Sequence, residues 1–284
     1  MGREIKTLEG VNAKEILSAF NTSFSDYFIP FELTIEQLSS KMLLDKTDLS
    51  LSVGVFDNDE LIAFILHGFD VLNNTKVVYN GGTGVMPQKR GSGLTQQMYH
   101  FILPLLKERG IDRLLLEVIT ENTQAIKSYQ RSGFITKREL LCYKGEIVVT
   151  KTNDMVEIKE MKNYNWELMK SFWDIQPTWQ NSKSVVNELE HKNVSLGAYV
   201  ENQFVGYLVS NPTNMRIQQI AVCKGFRQKG IASTLLSELT KVCGNTVSII
   251  NVDRTSKGTN QFLRKVGLEC NLEQLEMELL LDEK

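Results

Sequence analysis

The chain repeats itself, and no other feature of the sequence restricts its fold as strongly. Ser52 to Leu66 parallels Ser195 to Val209, each a pair of apolar runs around a polar turn, which is the pattern of a β-hairpin. Val85 to Thr95 parallels Val222 to Ala232, and Ile126 to Phe134 parallels Asn260 to Leu268. Arg90 and Arg227 lie 137 residues apart, and Gly133 and Gly267 lie 134 apart. Similar offsets in the same order mean one supersecondary plan used twice. A length of 284 residues leaves one large domain or two small ones open. The repeat decides for two, residues 1–150 and 155–284, with Thr150 to Asp154 as the linker.

Each half starts with a short strand (Glu4 to Leu8; Val156 to Lys159), then a helical region, the hairpin, and a third strand that runs into an Arg/Gly loop. A helix follows the loop. Leu94, Met98, Phe101, Ile102, Leu105 and Leu106 fall at helical spacing in the first half, as do Ile231, Leu235, Leu236, Leu239 and Val242 in the second. Pro104 lacks a backbone donor and is expected to kink this helix or mark its last turns. An apolar strand (Arg113 to Ile119; Thr246 to Val252), a helix ending at Gly133 or Gly267 and a last strand complete each half. Strands and helices in this order give an α/β or α+β fold with a mixed sheet.

Charge and cysteine narrow the partners. The 32 basic and 34 acidic residues leave a net charge of −2, so no global basic field draws the chain to nucleic acid or an anionic membrane. Its apolar runs are far shorter than a membrane span. The opening residues Met1 to Lys6 lack an apolar signal region, and a cytoplasmic protein is expected. Cys142, Cys223, Cys243 and Cys270 form no CxxC pair, and His67, His100 and His191 stand apart, so no metal site is expected.

The strand, loop and helix from Val85 to Thr95 form a candidate anion site. The first backbone N–H groups of a helix lack intrahelical partners, and the helix dipole adds positive potential there. Gly91 and Gly93 permit close backbone approach, Lys89 and Arg90 can add charge, and Ser92 offers a hydroxyl. There is no Walker motif and no GxGxxG fingerprint. A lone loop of this kind is often a plain tight turn, but here the pattern stands at the same place in both halves.

The loop resembles the acetyl-CoA loop of the GCN5-related N-acetyltransferase (GNAT) family, Arg/Gln-x-x-Gly-x-Gly/Ala. Arg227, Gly230 and Ala232 match it fully; Arg90, Gly93 and Leu94 lead to Thr95 at the last small position. The first half is also similar to the family in Asn122-x-x-Ala125-x-x-x-Tyr129-x-x-x-Gly133-Phe134. The resemblance covers nearly the whole chain, one GNAT-like domain per half. It implies that acetyl-CoA is the co-substrate, bound by Val85, the loop and Asn122 and Ala125, with the pantetheine arm between splayed strands. Tyr129 is then the general acid that protonates the departing thiolate, whereas on spacing alone it reads as a core aromatic. Glu117 is a candidate general base or a solvent-facing strand residue. In the second half Ser256, Thr259, Leu263 and Asn251 replace Asn122, Ala125, Tyr129 and Glu117.

These readings place acetyl transfer to the amine of a small soluble acceptor in the first domain and make the second a degenerate copy. The alternatives are a non-catalytic acyl-CoA-binding protein and catalysis in the second domain. Two features stay open. Asn80 to Gly84 marks a β-bulge or a substrate approach to the backbone, and Phe24, Tyr27, Phe28 and Phe31 around Asp26 line an acceptor pocket or pack the core.

Overall fold

The computed structural model describes residues 2–27, 32–149 and 151–281; Phe28, Phe31 and Thr150 lie outside them. Local turn chemistry sets the strand pairing. Asn58-Asp59, Asn73-Asn74 and Glu201-Asn202 all adopt positive φ (50° and 69°, 51° and 64°, 49° and 64°), the left-handed pairs that two-residue hairpin loops require. They join β2 (Val53–Asp57) to β3 (Glu60–Leu72), β3 to β4 (Thr75–Val85), and β8 (Val194–Val200) to β9 (Gln203–Asn211).

The chain forms two compact units, one of Met1–Lys137 with Leu275–Lys284 and one of Arg138–Gln274. In the first, the sheet order is β1 (Arg3–Thr7), β2, β3, β4, β5 (Arg113–Ile119) and the end of β12 (Leu268–Leu280). Alternate residues of β3 serve opposite faces. Ile65 joins Leu94, Met98 and Ile102 of α3 (Leu94–Glu108), while Phe64 and Leu66 join Ile16 and Phe20 of α1 (Ala13–Phe24). Met98, Ile102 and Leu106 have no exposed surface, and truncating any one to alanine costs about 2–5 kcal/mol. Pro104 lies inside α3, which continues to Glu108. Two further helices belong to this unit, α2 (Ile35–Leu44) and α4 (Thr123–Arg131).

The second unit repeats the plan with β6 (Ile135–Glu146, from Arg138 on), β11 (Thr246–Asp253), β10 (Arg216–Val222), β9, β8 and β7 (Glu157–Glu160) in that order. Its helices are α5 (Trp166–Ser171), α6 (Lys183–Glu188), α7 (Ile231–Cys243) and α8 (Lys257–Lys265).

The compact units therefore depart from the sequence halves 1–150 and 155–284. Each takes its last strand from the other half: residues 138–146 lie in the second unit and Leu275–Leu280 in the first. The cause is burial. Met277 and Leu281 belong to the core around α3, and Leu281 N donates to Asp112 O at 2.8 Å.

Candidate active site

Two parallel strands open the site in each unit. In the first, β4 and β5 pair from Val77↔Arg113 to Asn80↔Leu116 and then part, leaving Gly81 to Val85 and Glu117 to Ile119 without that partner. In the second, β10 and β11 pair only at Arg216↔Ser248. Where the first-unit strands part, the β3–β4 register shifts by one residue, so Gly81 is the extra residue of a bulge, and Asp45 Oδ2 sits 2.6 Å from where a Gly81 Cβ would lie. Gln218 makes the same bulge in β10 without glycine.

Beyond β4 and β10 the loop enters a helix through a left-handed glycine, Gly93 (φ 75°) or Gly230 (φ 81°). Neither helix has a side-chain cap, whereas α1, α2, α4, α5 and α6 are capped by Asn12, Thr34, Asn122, Asn165 and Ser182. The leading N–H groups of α3 and α7 thus remain open to an anion. Gly91 (φ 75°) has its counterpart in Gln228 (φ 60°), so the second loop keeps the same backbone with a side chain present.

The basic loop residues are paired within the chain. Arg90 Nη1 and Nη2 donate to Asp26 Oδ2 and Oδ1 (2.8 and 2.7 Å), Nη2 also donates to Ser23 O (2.8 Å), and Nε donates to Val85 O (3.3 Å). Arg227 repeats this with Asp174 (2.6 Å), Phe172 O (2.8 Å) and Val222 O (3.1 Å). The guanidinium hydrogen bonds hold Asp26 and Asp174 below the usual carboxylate range. Lys89 Nζ is likewise engaged by Asp57 Oδ2 (2.9 Å), and Ser92 Oγ donates to Lys89 O (2.5 Å). These bonds tie the loop to neighbouring side chains and carbonyls and leave its backbone N–H groups facing outward at the helix start. Leu94 anchors the helix start in the core, while Thr95 and Ala232 are half-buried.

Asn122 caps α4, its Oδ1 accepting from Ala125 N at 3.1 Å, and Ala125 packs against the core that holds Tyr129. Ser256, its counterpart, makes no side-chain cap. Tyr129 forms an aromatic triangle with Tyr99 and Phe134 (ring centroids 6.4 and 5.8 Å away), and its hydroxyl is hydrogen-bonded with Thr83 and Asn80. Burial pushes that hydroxyl up to about 12, the two hydrogen bonds acting in the opposite direction. Asn80, itself buried, donates from Nδ2 to Thr83 Oγ1 and to the Tyr99 hydroxyl, both at 2.8 Å. Asn80, Thr83 and Tyr99 are site residues that the sequence motif does not name. The repeat carried a signal for them: at their counterparts in the second half stand Ile217, Ile220, Leu236 and, for Tyr129, Leu263, so four polar residues become aliphatic together.

Glu117 accepts a hydrogen bond from the Tyr79 hydroxyl at 2.5 Å. Burial first, then the charges of Glu117, Asp45 and Glu276, raise the Tyr79 hydroxyl well above its ordinary value. Phe24 packs against Phe20 and Tyr27 (ring centroids 4.6 and 5.1 Å). In the second unit a cleft of about 1710 Å³ is lined by Asn181, Gln218, Asn251 and the Arg227 to Ala232 loop. Asn153 of the linker borders it, its Nδ2 donating to Lys229 O at 2.7 Å. Among the described residues no helix is long and apolar enough to cross a membrane, and no group of three His, Cys, Asp or Glu side chains could hold a metal ion.

Parted parallel strands feeding an uncapped helix make an open cleft that can receive an anion in each unit. The sequence pattern of the acetyltransferase (GNAT) family matches residues 14–134 and 158–268, and the chain belongs to that family. It is an enzyme of a family that transfers an acyl group from acyl-CoA to an amine. N-alpha-acetyltransferase 30 of Schizosaccharomyces pombe is 28% identical over 88 residues, a match spanning 31% of this chain and 59% of that protein. The fold is similar to a GCN5-related N-acetyltransferase of Sphaerobacter thermophilus (TM-score 0.75, 15% identity, 99% of this chain and 96% of that one). It is also similar to a tandem GNAT protein from the clavulanic acid biosynthesis pathway (TM-score 0.73, 10% identity, 99% of each chain).

Proposed function

We propose that the first unit transfers the acetyl group of acetyl-CoA to an amine of a small soluble acceptor, with Tyr129 as general acid. The observation that carries this reading is the surrounding of Tyr129, a buried hydroxyl in a polar network whose counterparts in the second unit are all aliphatic. The loop from Lys89 to Thr95 offers its backbone N–H groups to the CoA phosphates, and Val85, Asn122 and Ala125 border the arm. As the new N–C bond forms, Glu117 or water takes the proton lost by the amine. As the C–S bond breaks and sulfur takes the bonding pair, Tyr129 gives sulfur its proton and regains one from solvent. Asp45, Glu117 and Glu276 lend negative charge to the region of Tyr79, which favours an acceptor that arrives as the ammonium and gives its extra proton to water before its nitrogen attacks. The reading places the protein in the cytoplasm.

The test is release of free CoA thiol with polyamines, aminoglycosides, amino acids and peptide N-termini as acceptors. Tyr129→Phe is expected to lower kcat by about 100-fold or more while KM for acetyl-CoA stays within about threefold. Unchanged turnover in this variant would remove the assignment. The second-unit cleft favours a second reading for that unit alone, in which Arg227, Gly230 and Ala232 hold acyl-CoA without turnover.

A further inference from the structure

We infer that the inner end of the second-unit cleft, where β10 and β11 part, is a binding subsite for an uncharged ligand that carries a carboxamide on an apolar body. It concerns the second unit alone and does not depend on Tyr129 being the acid. Four carboxamide side chains line the cleft, Asn181, Gln218, Gln219 and Asn251, and each exposes no more than 7% of its surface. The buried Oε1 of Gln218, the bulge residue of β10, has no hydrogen-bond partner among the described residues, and turning the amide over would leave its nitrogen there instead. Asn181 Oδ1 is also buried and unpartnered among them. Its orientation is fixed, since Asn181 Nδ2 donates to Ile250 O on β11 at 2.9 Å and Asn181 O accepts from Gln219 Nε2 at 2.6 Å. Gln219 Oε1 in turn accepts from the Tyr207 hydroxyl (2.8 Å), whose oxygen accepts from Trp173 Nε1 (2.5 Å). Phe172, Trp173 and Tyr207 give the cleft an aromatic wall beside the amides. Unpaired carbonyl oxygens call for N–H donors, the wall calls for an apolar body, and carboxamides carry no charge to balance an ammonium or a carboxylate. Among the charged side chains that line the cleft, Arg138 pairs with Asp253 (3.5 Å) and Arg227 with Asp174 (2.6 Å).

The repeat supports this independently. Gln218, Gln219 and Asn251 stand at the counterparts of Gly81, Gly82 and Glu117. Ile217, Ile220, Leu236 and Leu263, the counterparts of the Tyr129 network, are aliphatic, so this unit accepts apolar filling around its parted strands. A plain core would continue that filling, because a buried amide without a partner costs stability. Carboxamides in place of two glycines and a carboxylate also remove the negative charge that Glu117 brings to the first unit.

Benzamide carries a carboxamide on an apolar ring, and benzylamine and benzoate have nearly its shape with charges of opposite sign. The full chain is titrated with each, followed by tryptophan fluorescence, which Trp173 on the cleft wall reports, and by the side-chain ¹H–¹⁵N signals of Gln218, assigned by their loss in Gln218→Met. We expect saturable benzamide binding that moves the Gln218 signals, with benzylamine and benzoate bound about tenfold or more weakly. Gln218→Met should weaken benzamide by about tenfold or more, whereas saturating coenzyme A should leave the benzamide affinity within about threefold. Because Gln218→Met deletes an unpaired amide, it should keep or raise the urea midpoint of the second unit. Absence of saturable benzamide binding, equal binding of either charged probe, or displacement of benzamide by coenzyme A overturns the subsite. A fall in the urea midpoint of Gln218→Met assigns the amide to the fold and overturns it as well. None of these readouts involves turnover, so the subsite stands or falls apart from the reading of the first unit.

Discussion

Acidification should weaken the first unit through one side chain. His67 has no exposed surface, and its Nδ1 lies 2.8 Å from Leu51 O, which assigns the proton to Nδ1. Nε2 is left without a partner among the described residues, in a ring 6.2 Å from that of Tyr99. Protonating Nε2 would bury a charge, so burial lowers the imidazole from 6.5 to about 4, with the Leu51 bond acting the other way. Between these values the unfolded chain binds the proton and the folded one does not. The contribution is therefore fully present above pH 6.5 and is lost as pH falls through 4. At pH 5 the loss is about 2 kcal/mol, or roughly 30-fold in the opening equilibrium. Hydrogen exchange of the β3 and β4 amides at pH 7.5 and 5.0, corrected for intrinsic rates, reads this directly. His67→Gln should remove that part of the pH dependence while lowering protection at both pH values. The same pH dependence in wild type and variant would refute the reasoning.

Other perturbations follow from the same structure. Leu263→Tyr adds a hydroxyl with no polar counterpart of Asn80 or Thr83 beside it and overfills a buried site, so the second unit should lose about 2–4 kcal/mol. All three tryptophans, Trp166, Trp173 and Trp179, lie in that unit and report its urea midpoint. Asn122→Ala removes the α4 cap and should cost about 1 kcal/mol in thermal or urea unfolding, whereas Asn122→Asp keeps the acceptor and the stability. Arg254→Ala breaks pairs with Glu139 and Glu273, all close to half exposed, and should change the urea-derived stability by less than about 1 kcal/mol.

What was legible in the sequence follows from the range over which each interaction acts. Hairpins, helix starts and the Arg/Gly loops are written in adjacent residues, and the family motif names Tyr129 because its spacing follows one helix. The exchange of last strands was not legible. Leu275, Met277, Leu279 and Leu281 alternate as a strand should, yet alternation says nothing about which unit receives it. The ion pair of Arg90 was hidden for a similar reason, since its partner Asp26 lies 64 residues away. Asn80, Thr83 and Tyr99 sit on two elements and become a group only once β4 and α3 face each other.

The central claim, catalysis in the first unit, is tested most directly by thiol release from acetyl-CoA in paired loop variants assayed with one active acceptor. Arg90→Glu sets a carboxylate against Asp26 and frees the first loop, and Arg227→Glu does the same against Asp174 in the second. The account predicts that Arg90→Glu abolishes turnover and that Arg227→Glu retains it within about twofold. Loss of turnover in Arg227→Glu with Arg90→Glu active would contradict it.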